Sequence, residues 1–234
     1  MFSYGCSPPP RSAGDVARIE TKDIFANSQA RKLSLAAEAG DIAMIDLLIA
    51  QGVNVNHKGA YGVTPLFRCV LAGNKRGFAH LLAHGADPNI RHVKGLAVMH
   101  EASLLADPFF LELALKNKGD PNLLDIGNPF TIEKTPIFYA ISERRAANAK
   151  LLIESGADVN HVDKREGQFP LYVAYRRPSF EIVFMLLKAG ANPLQRRNGE
   201  GENFIEWMAN WTTDDIDEDD EKTWFLKVRT LLKK

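Results

Sequence analysis

The sequence lacks the features that mark several common protein classes. It has only two cysteines, Cys6 and Cys69, which are too few for a disulfide framework. Its 29 basic and 29 acidic residues cancel, which argues against a general nucleic-acid or membrane-surface binder. No apolar run approaches the roughly 18 residues that a transmembrane segment needs. A glycine-rich phosphate loop and a nucleophile elbow are also missing. We therefore expect no catalytic residue and no cofactor.

What the chain does contain is one short pattern that occurs five times. Polar turns that begin with glycine end at Asn56, Asn89, Asn122, Asn160 and Leu194, at spacings of 33, 33, 38 and 34 residues. The clearest copy spans residues 64–89. Within it, Thr64 suits a helix N-cap, Pro65 suits the first helical position, and Gly85 suits the end of a second helix. A helix pair this short cannot bury its own apolar face, so the copies are expected to stack.

Three segments within these copies carry a family resemblance. They read T-P-L-F at Thr64–Phe67, T-P-I-F at Thr135–Phe138 and F-P-L-Y at Phe169–Tyr172. They resemble the T-P-L-H signature of ankyrin repeats, whose period is near 33 residues. The resemblance covers about residues 24 to 232. It implies an all-α ankyrin solenoid of about six stacked helix–turn–helix units, with finger loops and a diverged C-terminal cap.

The repeats set the expected domain boundaries. Residues 1–22, rich in proline, serine and glycine, are expected to be flexible, and residues 23–234 to form one repeat domain. The repeats are expected at about 23–56, 57–89, 90–122, 123–160, 161–194 and 195–234, the last being the cap. Departures from the repeat are expected to carry the information about a partner: a five-residue insertion before Thr135, Arg176-Arg177-Pro178 in place of a glycine turn, and the acidic run 214–221, which is expected to be a solvated loop.

The N-terminal cysteine allows two interpretations of localisation. Gly5-Cys6-Ser7 followed by prolines resembles the start of a mature bacterial lipoprotein. As the sequence stands, it shows no basic start followed by an apolar stretch, and it therefore predicts a cytoplasmic protein. The alternative is a periplasmic lipoprotein anchored through Cys6, if a signal sequence is missing.

The resemblance implies protein binding across the concave side of the stack, and the periodicity indicates which residues face it. They follow each turn or take non-core positions on the inner helices. The candidates are His57, Lys58, Tyr61, Arg68, Arg91, His92, Lys94, Glu101, Phe130, Lys134, Tyr139, His161, Lys164, Arg165, Arg176, Arg196 and Arg197. Because many of them are basic, we expect a protein partner with an acidic patch. No nucleic-acid partner is expected, because the net charge is zero. The free protein is expected to be a monomer.

Two groups of residues have some features of a metal site, the histidine pair at 80 and 84 and the acidic run at 214–221. His80 and His84 have a metal-compatible spacing on one helix, but no third ligand is evident, so no metal site is expected. The acidic run lacks the glycine and the glutamate that a calcium loop requires at its sixth and twelfth positions. His100 matches the histidine of the T-P-L-H signature, and the resemblance implies a structural hydrogen bond for it.

The expected function is therefore a non-catalytic binding module that masks or inhibits a partner protein. A sharper form is an immunity protein that neutralises a secreted bacterial toxin. A regulatory scaffold and a host-directed effector are the alternatives that use the same surface.

Overall fold

The structure, a computed structural model, describes residues 18–92, 95–126, 133–176 and 178–233. Cys6, Lys94 and Phe130, three of the sequence candidates, lie outside these ranges. The chain divides into two compact units, residues 1–98 and 99–234. Regular structure in the described part of both units is helical. None of the described helices is long and apolar enough to cross a membrane.

Unit 1 contains two helix pairs preceded by a single helical turn. Its helices are α1 (Thr21–Ile24), α2 (Ser28–Ala39), α3 (Ile42–Ala50), α4 (Pro65–Ala72) and α5 (Lys75–Ala83), with a 3-10 turn at Ala60–Gly62. In each pair the first helix packs on the second, and α2 also packs side by side with α4. Leu33, Leu66 and Phe78 are fully buried in this core. Burial of each such side chain contributes about 1.5–3 kcal/mol of stability. A single helix pair is too small to bury them, so this stabilisation depends on the packing of one pair on the next.

The best-preserved repeat has the local structure that its sequence predicts. Thr64 Oγ1 accepts a hydrogen bond from the Phe67 amide at 3.2 Å, and Pro65 opens α4. Gly73 ends α4 with φ +67°, in the left-handed region that favours glycine. Gly85 follows α5 with φ +84°. The predicted helix pair between residues 64 and 85 is confirmed.

The described part of unit 2 contains four further helix pairs. The helices are α6 (Val98–Leu104, whose first residue belongs to unit 1), α7 (Phe109–Lys116), α8 (Pro136–Ser142), α9 (Ala146–Glu154), α10 (Pro170–Arg176), α11 (Phe180–Lys188), α12 (Phe204–Ala209) and α13 (Asp219–Leu232), with a 3-10 turn at Thr213–Asp215. First helices α8 and α10 pack together, as do second helices α9 and α11. Helix α12 packs on α10 and α13 on α11, so the last pair covers the end of the unit. The all-α repeat fold expected from the sequence is confirmed.

Asparagines at the ends of the turns tie one repeat to the next. In unit 1, Asn56 Nδ2 donates to the Gly85 carbonyl at 3.0 Å, and its Oδ1 accepts from the Asp87 amide at 2.8 Å. The same pair of bonds joins Asn122 to Gly156 and Asp158, and Asn160 to Gly190 and Asn192. The residues that mark the repeat in the sequence are therefore the residues that connect neighbouring repeats.

Packed structure begins earlier than the sequence suggests. The expected boundary is Asp23, but α1 begins at Thr21, whose side chain is almost completely buried. The Thr21 hydroxyl donates to Glu38 Oε1 at 2.7 Å. The end of the predicted flexible segment is therefore part of the first repeat.

The acidic run near the C-terminus is more ordered than a solvated loop. Asp214 and Asp215 lie in a 3-10 turn, and α13 begins at Asp219. Glu221 in the first turn of α13 accepts a hydrogen bond from the Phe180 amide at 2.6 Å, and it pairs with Arg144 at 2.8 Å. A carboxylate at this place satisfies an orphan N–H at the start of α11. The expectation of a long acidic loop is wrong for this part of the run.

Candidate functional site

Unit 2 contains a cleft of about 470 Å³ between α10, α12 and the loop that precedes α12. It is lined by Tyr172, Tyr175, Arg176, Arg197, Asn198, Glu200, Gly201, Glu202 and Trp207. Its volume falls within the range of about 300–1,000 Å³ that is usual for binding pockets.

The floor of the cleft is aromatic. The ring of Tyr175 lies 5.4 Å from Tyr172, edge-on, and 5.0 Å from Trp207, measured between centroids. Tyr175 is 2% exposed and Trp207 is 9% exposed, so most of both rings is buried beneath the cleft. Burial raises the pKa of Tyr175 to about 12, which keeps its hydroxyl neutral. That hydroxyl points to the Glu202 carbonyl at 3.4 Å.

The rim of the cleft carries charges of both signs. The Arg197 guanidinium lies 5.6 Å from the centroid of the Tyr172 ring, within cation–π range, and its Nε donates to the Glu166 carbonyl at 2.7 Å. Arg176 is exposed at the end of α10. Glu200 and Glu202 are exposed in the preceding loop. The rim can therefore orient a charged ligand without being uniformly basic.

Two features of the sequence hold the loops of this cleft in place. Asp163 is fully buried, and its carboxylate accepts from the Glu166 amide at 2.6 Å and the Gln168 amide at 3.0 Å. Gly167 has φ +64°, and a Cβ there would collide with the side chain of Asn198. Glycine is thus favoured at the point where the two loops meet. The loop that contains Gly167 also holds Arg197, through the hydrogen bond from Arg197 to the Glu166 carbonyl.

Of the sequence candidates that the structure describes, Arg176 and Arg197 line the cleft. Arg196 lies beside it, but its guanidinium is bound to the Glu206 carboxylate and the Gly201 carbonyl. Arg165 is exposed on the neighbouring loop.

Four further candidates in unit 2 lie around the start of α8. His161 Nε2 is 2.7 Å from the Glu133 carbonyl oxygen, and Lys164 pairs with the Glu133 carboxylate at 2.8 Å. Lys134 Nζ lies 5.7 Å from the centroid of the Phe138 ring. Tyr139 donates its hydroxyl to buried Asp125 at 2.6 Å, and burial together with that carboxylate raises the pKa of Tyr139 above its ordinary value. These side chains have structural partners within unit 2.

Three candidates were expected to face outward and are buried instead. Arg68, His92 and Glu101 are 8%, 5% and 8% exposed. Arg68 forms two hydrogen bonds to the Glu38 carboxylate, at 3.0 and 2.9 Å, so a neighbouring repeat supplies its counter-ion. The His92 ring stacks on Phe67 at 3.9 Å. The expectation of exposure is wrong at these three positions. At Arg68 and His92, contacts from other repeats cover the side chain.

The remaining candidates lie in unit 1. Lys58 and Tyr61 are exposed, whereas His57 and Arg91 are half-buried. The His57 ring is 6.1 Å from that of Phe25.

His100 and the pair His80 and His84 have different roles in the structure. His100 is fully buried and its Nε2 lies 2.9 Å from the Leu123 carbonyl oxygen, as a structural histidine requires. His80 and His84 have a third neighbour: the carboxylate of Asp46, on α3, approaches both rings. The expectation that no third ligand accompanies this pair is wrong, because Asp46 comes from the preceding repeat.

Sequence reasoning missed the aromatic floor of the cleft. In the sequence, Tyr172 is the last letter of a repeat signature, and Trp207 is not among the candidate residues. One signal was available: all three tryptophans fall between residues 207 and 224, and Tyr175 takes a position that is Val70 in the best-preserved copy. Aromatic residues concentrated in the last units indicate a local specialisation.

The paired helices, their linking asparagines and the loop-lined cleft define a helical-repeat protein. The family model for ankyrin repeats matches residues 21–92 and 99–197. The chain belongs to the ankyrin-repeat family. Ankyrin repeats generally mediate protein–protein interaction, and ankyrin-repeat domains are typically non-catalytic.

Three curated relatives show how widely the repeat occurs. An ankyrin repeat and KH domain-containing protein of Caenorhabditis briggsae is 28% identical over 174 residues, which are 73% of this chain and 6% of that protein. The phosphocholine transferase AnkX of Legionella pneumophila is 23% identical over 223 residues, 92% of this chain and 22% of the enzyme. The NF-kappa-B p105 subunit of Gallus gallus is 26% identical over 136 residues, 58% of this chain and 14% of that protein. The chain thus spans less than a quarter of the length of each of these relatives.

Proposed function

We propose that the protein is a non-catalytic binding module whose unit 2 cleft holds a segment of another protein. The observation that carries the proposal is the combination of Tyr172, Tyr175, Trp207 and Arg197 around one cavity. Tyrosine, tryptophan and arginine are the residues that most often dominate binding energy at protein interfaces. The membership of a family that generally binds proteins supports the same conclusion.

The charges of the rim suggest the chemistry of that segment. An apolar or aromatic side chain would enter the cleft against Tyr175 and Trp207. An acidic residue next to it would meet Arg197 and Arg176, while Glu200 and Glu202 would disfavour the reverse orientation. This replaces the broad acidic patch expected from the sequence with one carboxylate at a defined place. Among the roles expected from the sequence we propose masking or inhibition of the partner, of which neutralising a secreted toxin is one form.

A displayed library of random peptides, selected on the immobilised full chain, tests this proposal. We expect enriched peptides to combine a bulky apolar residue with a neighbouring Asp or Glu. Arg197→Glu should reduce their affinity at least about tenfold, since a close charge pair at an interface is worth about 1.5 kcal/mol or more. Lys150→Glu is the matched control. This substitution makes the same charge change at an exposed position of α9, a helix that does not line the cleft.

Two outcomes would contradict the proposal. One is the selection of peptides whose binding is equally strong in wild type and in Arg197→Glu. The other is an equal loss of binding in Lys150→Glu, which would indicate a general charge effect.

A further inference from the structure

We propose that Asp46, His80 and His84 form a binding site for a zinc ion on unit 1. His80 and His84 lie one turn apart at the C-terminal end of α5, and Asp46 lies on α3 of the preceding repeat. His80 Nε2 is 2.6 Å from Asp46 Oδ1, and His84 Nε2 is 3.7 Å from the same oxygen. Within the described residues, this is where three potential metal ligands of the His, Cys, Asp or Glu type converge.

The distances between the ligand atoms suit a tetrahedral metal. With metal–nitrogen and metal–oxygen bonds of about 2.0–2.1 Å, tetrahedral geometry separates ligand atoms by about 3.3 Å. The two observed distances, 2.6 and 3.7 Å, lie on either side of this value. Each needs to change by less than about 1 Å, which rotation of the half-exposed Asp46 side chain can supply.

A second observation concerns the tautomer of His84. Its Nδ1 is 3.0 Å from the backbone carbonyl oxygen of His80, which can only accept a hydrogen bond. His84 Nδ1 therefore carries a proton, and in the neutral ring the lone pair lies on Nε2, the nitrogen that points to Asp46. Histidines that bind metals characteristically donate their other ring N–H to a carbonyl or carboxylate in this way.

The backbone holds α5 close to α2, the helix that packs on α3 in the first repeat. Gly77 lies one turn before His80, and a Cβ at that position would collide with the Ala37 carbonyl of α2. The close approach of α5 to the first repeat thus depends on glycine. Asn74 adds a hydrogen bond from its Nδ2 to the Glu38 carbonyl at 3.0 Å. A site built on elements held this closely is preorganised.

The donor set indicates the class of metal. Two imidazoles and one carboxylate suit Zn²⁺ and other late first-row divalent ions, whereas Mg²⁺ and Ca²⁺ prefer oxygen ligands. Three protein ligands leave a fourth position for water. The ion would connect α3 and α5, the second helices of two consecutive repeats. None of its three ligands lines the unit 2 cleft.

Zinc itself is the probe that tests the site. Tag-free protein comprising residues 1–234 and carrying Cys6→Ser, which removes a competing thiol, would be titrated with Zn²⁺ by calorimetry and then dialysed for metal analysis. We expect one zinc per chain and slower hydrogen exchange in α3 and α5 when zinc is bound. His84→Gln and Asp46→Asn should each weaken binding by about tenfold or more. His57→Gln, which changes another histidine of unit 1, should leave it unchanged.

The proposal fails if the wild-type chain retains no zinc, or if the variants at His84 and Asp46 bind it as tightly as wild type. Loss of binding in His57→Gln would assign the ion to another place. Asp46 is exposed, so Asp46→Asn gives a folded variant even if a change at His84 disturbs α5. Circular dichroism of each variant verifies this.

Discussion

The ion pair between Glu38 and Arg68 offers the sharpest test of how unit 1 is held together. The Glu38 carboxylate accepts hydrogen bonds from Thr21, Ser34 and Arg68, over distances of 2.7 to 3.2 Å. The side chains of Glu38 and Arg68 are 17% and 10% exposed. This pair therefore joins α1, α2 and α4 through groups that are mostly removed from water.

The expected cost of breaking the pair follows from its burial. Exposed ion pairs contribute about 0–1 kcal/mol, and removal of one member of a fully buried pair costs about 3–5 kcal/mol. Because the pair is mostly buried and bidentate, we expect Glu38→Gln and Arg68→Met each to reduce the stability of unit 1 by about 2–3 kcal/mol. The double variant should lose less than the sum, since neither charge is then left alone.

Hydrogen exchange is the suitable assay, because all three tryptophans lie in unit 2 and fluorescence does not report on unit 1. A loss of 2–3 kcal/mol corresponds to roughly 30- to 150-fold faster exchange at protected amides of α2 and α4. Arg76→Met is the matched control, since Arg76 is exposed on α5. Exchange within twofold of wild type in Arg68→Met would refute the reasoning. Strict additivity in the double variant would show that the two charges do not act as a pair.

Three further predictions concern unit 2 and can be measured by urea unfolding followed by tryptophan fluorescence. Burial raises the pKa of Glu101 to about 7, so the folded carboxyl keeps its proton longer than the unfolded one. The free energy of unfolding should thus fall as the pH rises from about 4.5 to 7. Glu101→Gln should raise it by about 1–3 kcal/mol at pH 8 but change it little at pH 4.5. A gain that does not depend on pH would contradict this. Asn148 is buried and its Nδ2 lies within 2.8–3.3 Å of three backbone carbonyl oxygens. Asn148→Ala should cost about 1–3 kcal/mol, and a neutral result would mean that water replaces the amide. Lys118 has φ +66°, where other repeats place glycine. Lys118→Gly should stabilise by about 0.5–1 kcal/mol, and destabilisation would show that its side-chain contacts outweigh the backbone strain.

Local signals in the sequence were sufficient for the helix pairs. Thr64 and Pro65 define the start of α4, and Gly73 and Gly85 occupy left-handed positions, because each acts on its own stretch of backbone. The turn asparagines gave the period for the same reason. Short-range rules of this kind do not depend on which repeat stands next to which.

Burial and site geometry depended on contacts that are distant in the sequence. The sequence pattern predicts a surface position for Arg68, because it does not indicate that its counter-ion, Glu38, lies in the preceding repeat. Asp46 was not connected with His80 because it too comes from one repeat earlier. Arg197 is one of the basic candidates in the sequence, but the sequence does not indicate that its guanidinium lies over the Tyr172 ring. Periodicity indicates which positions are equivalent, but it does not indicate what faces each of them.

The terminal helix α13 has a consequence for how repeat arrays of this kind can change length. The ring centroids of Phe225 in α13 and Phe180 in α11 are 5.1 Å apart. Glu221 accepts the hydrogen bond of the Phe180 amide at the start of α11. Helix α13 thus covers the face of α11 on which another repeat would stack. It contacts the apolar Phe180 ring and also satisfies the Phe180 amide. Duplication of a repeat after α11 would require α13 to be displaced, whereas insertion of a repeat within unit 2 would leave this closing contact intact. The C-terminal helix therefore disfavours growth of the array directly after α11.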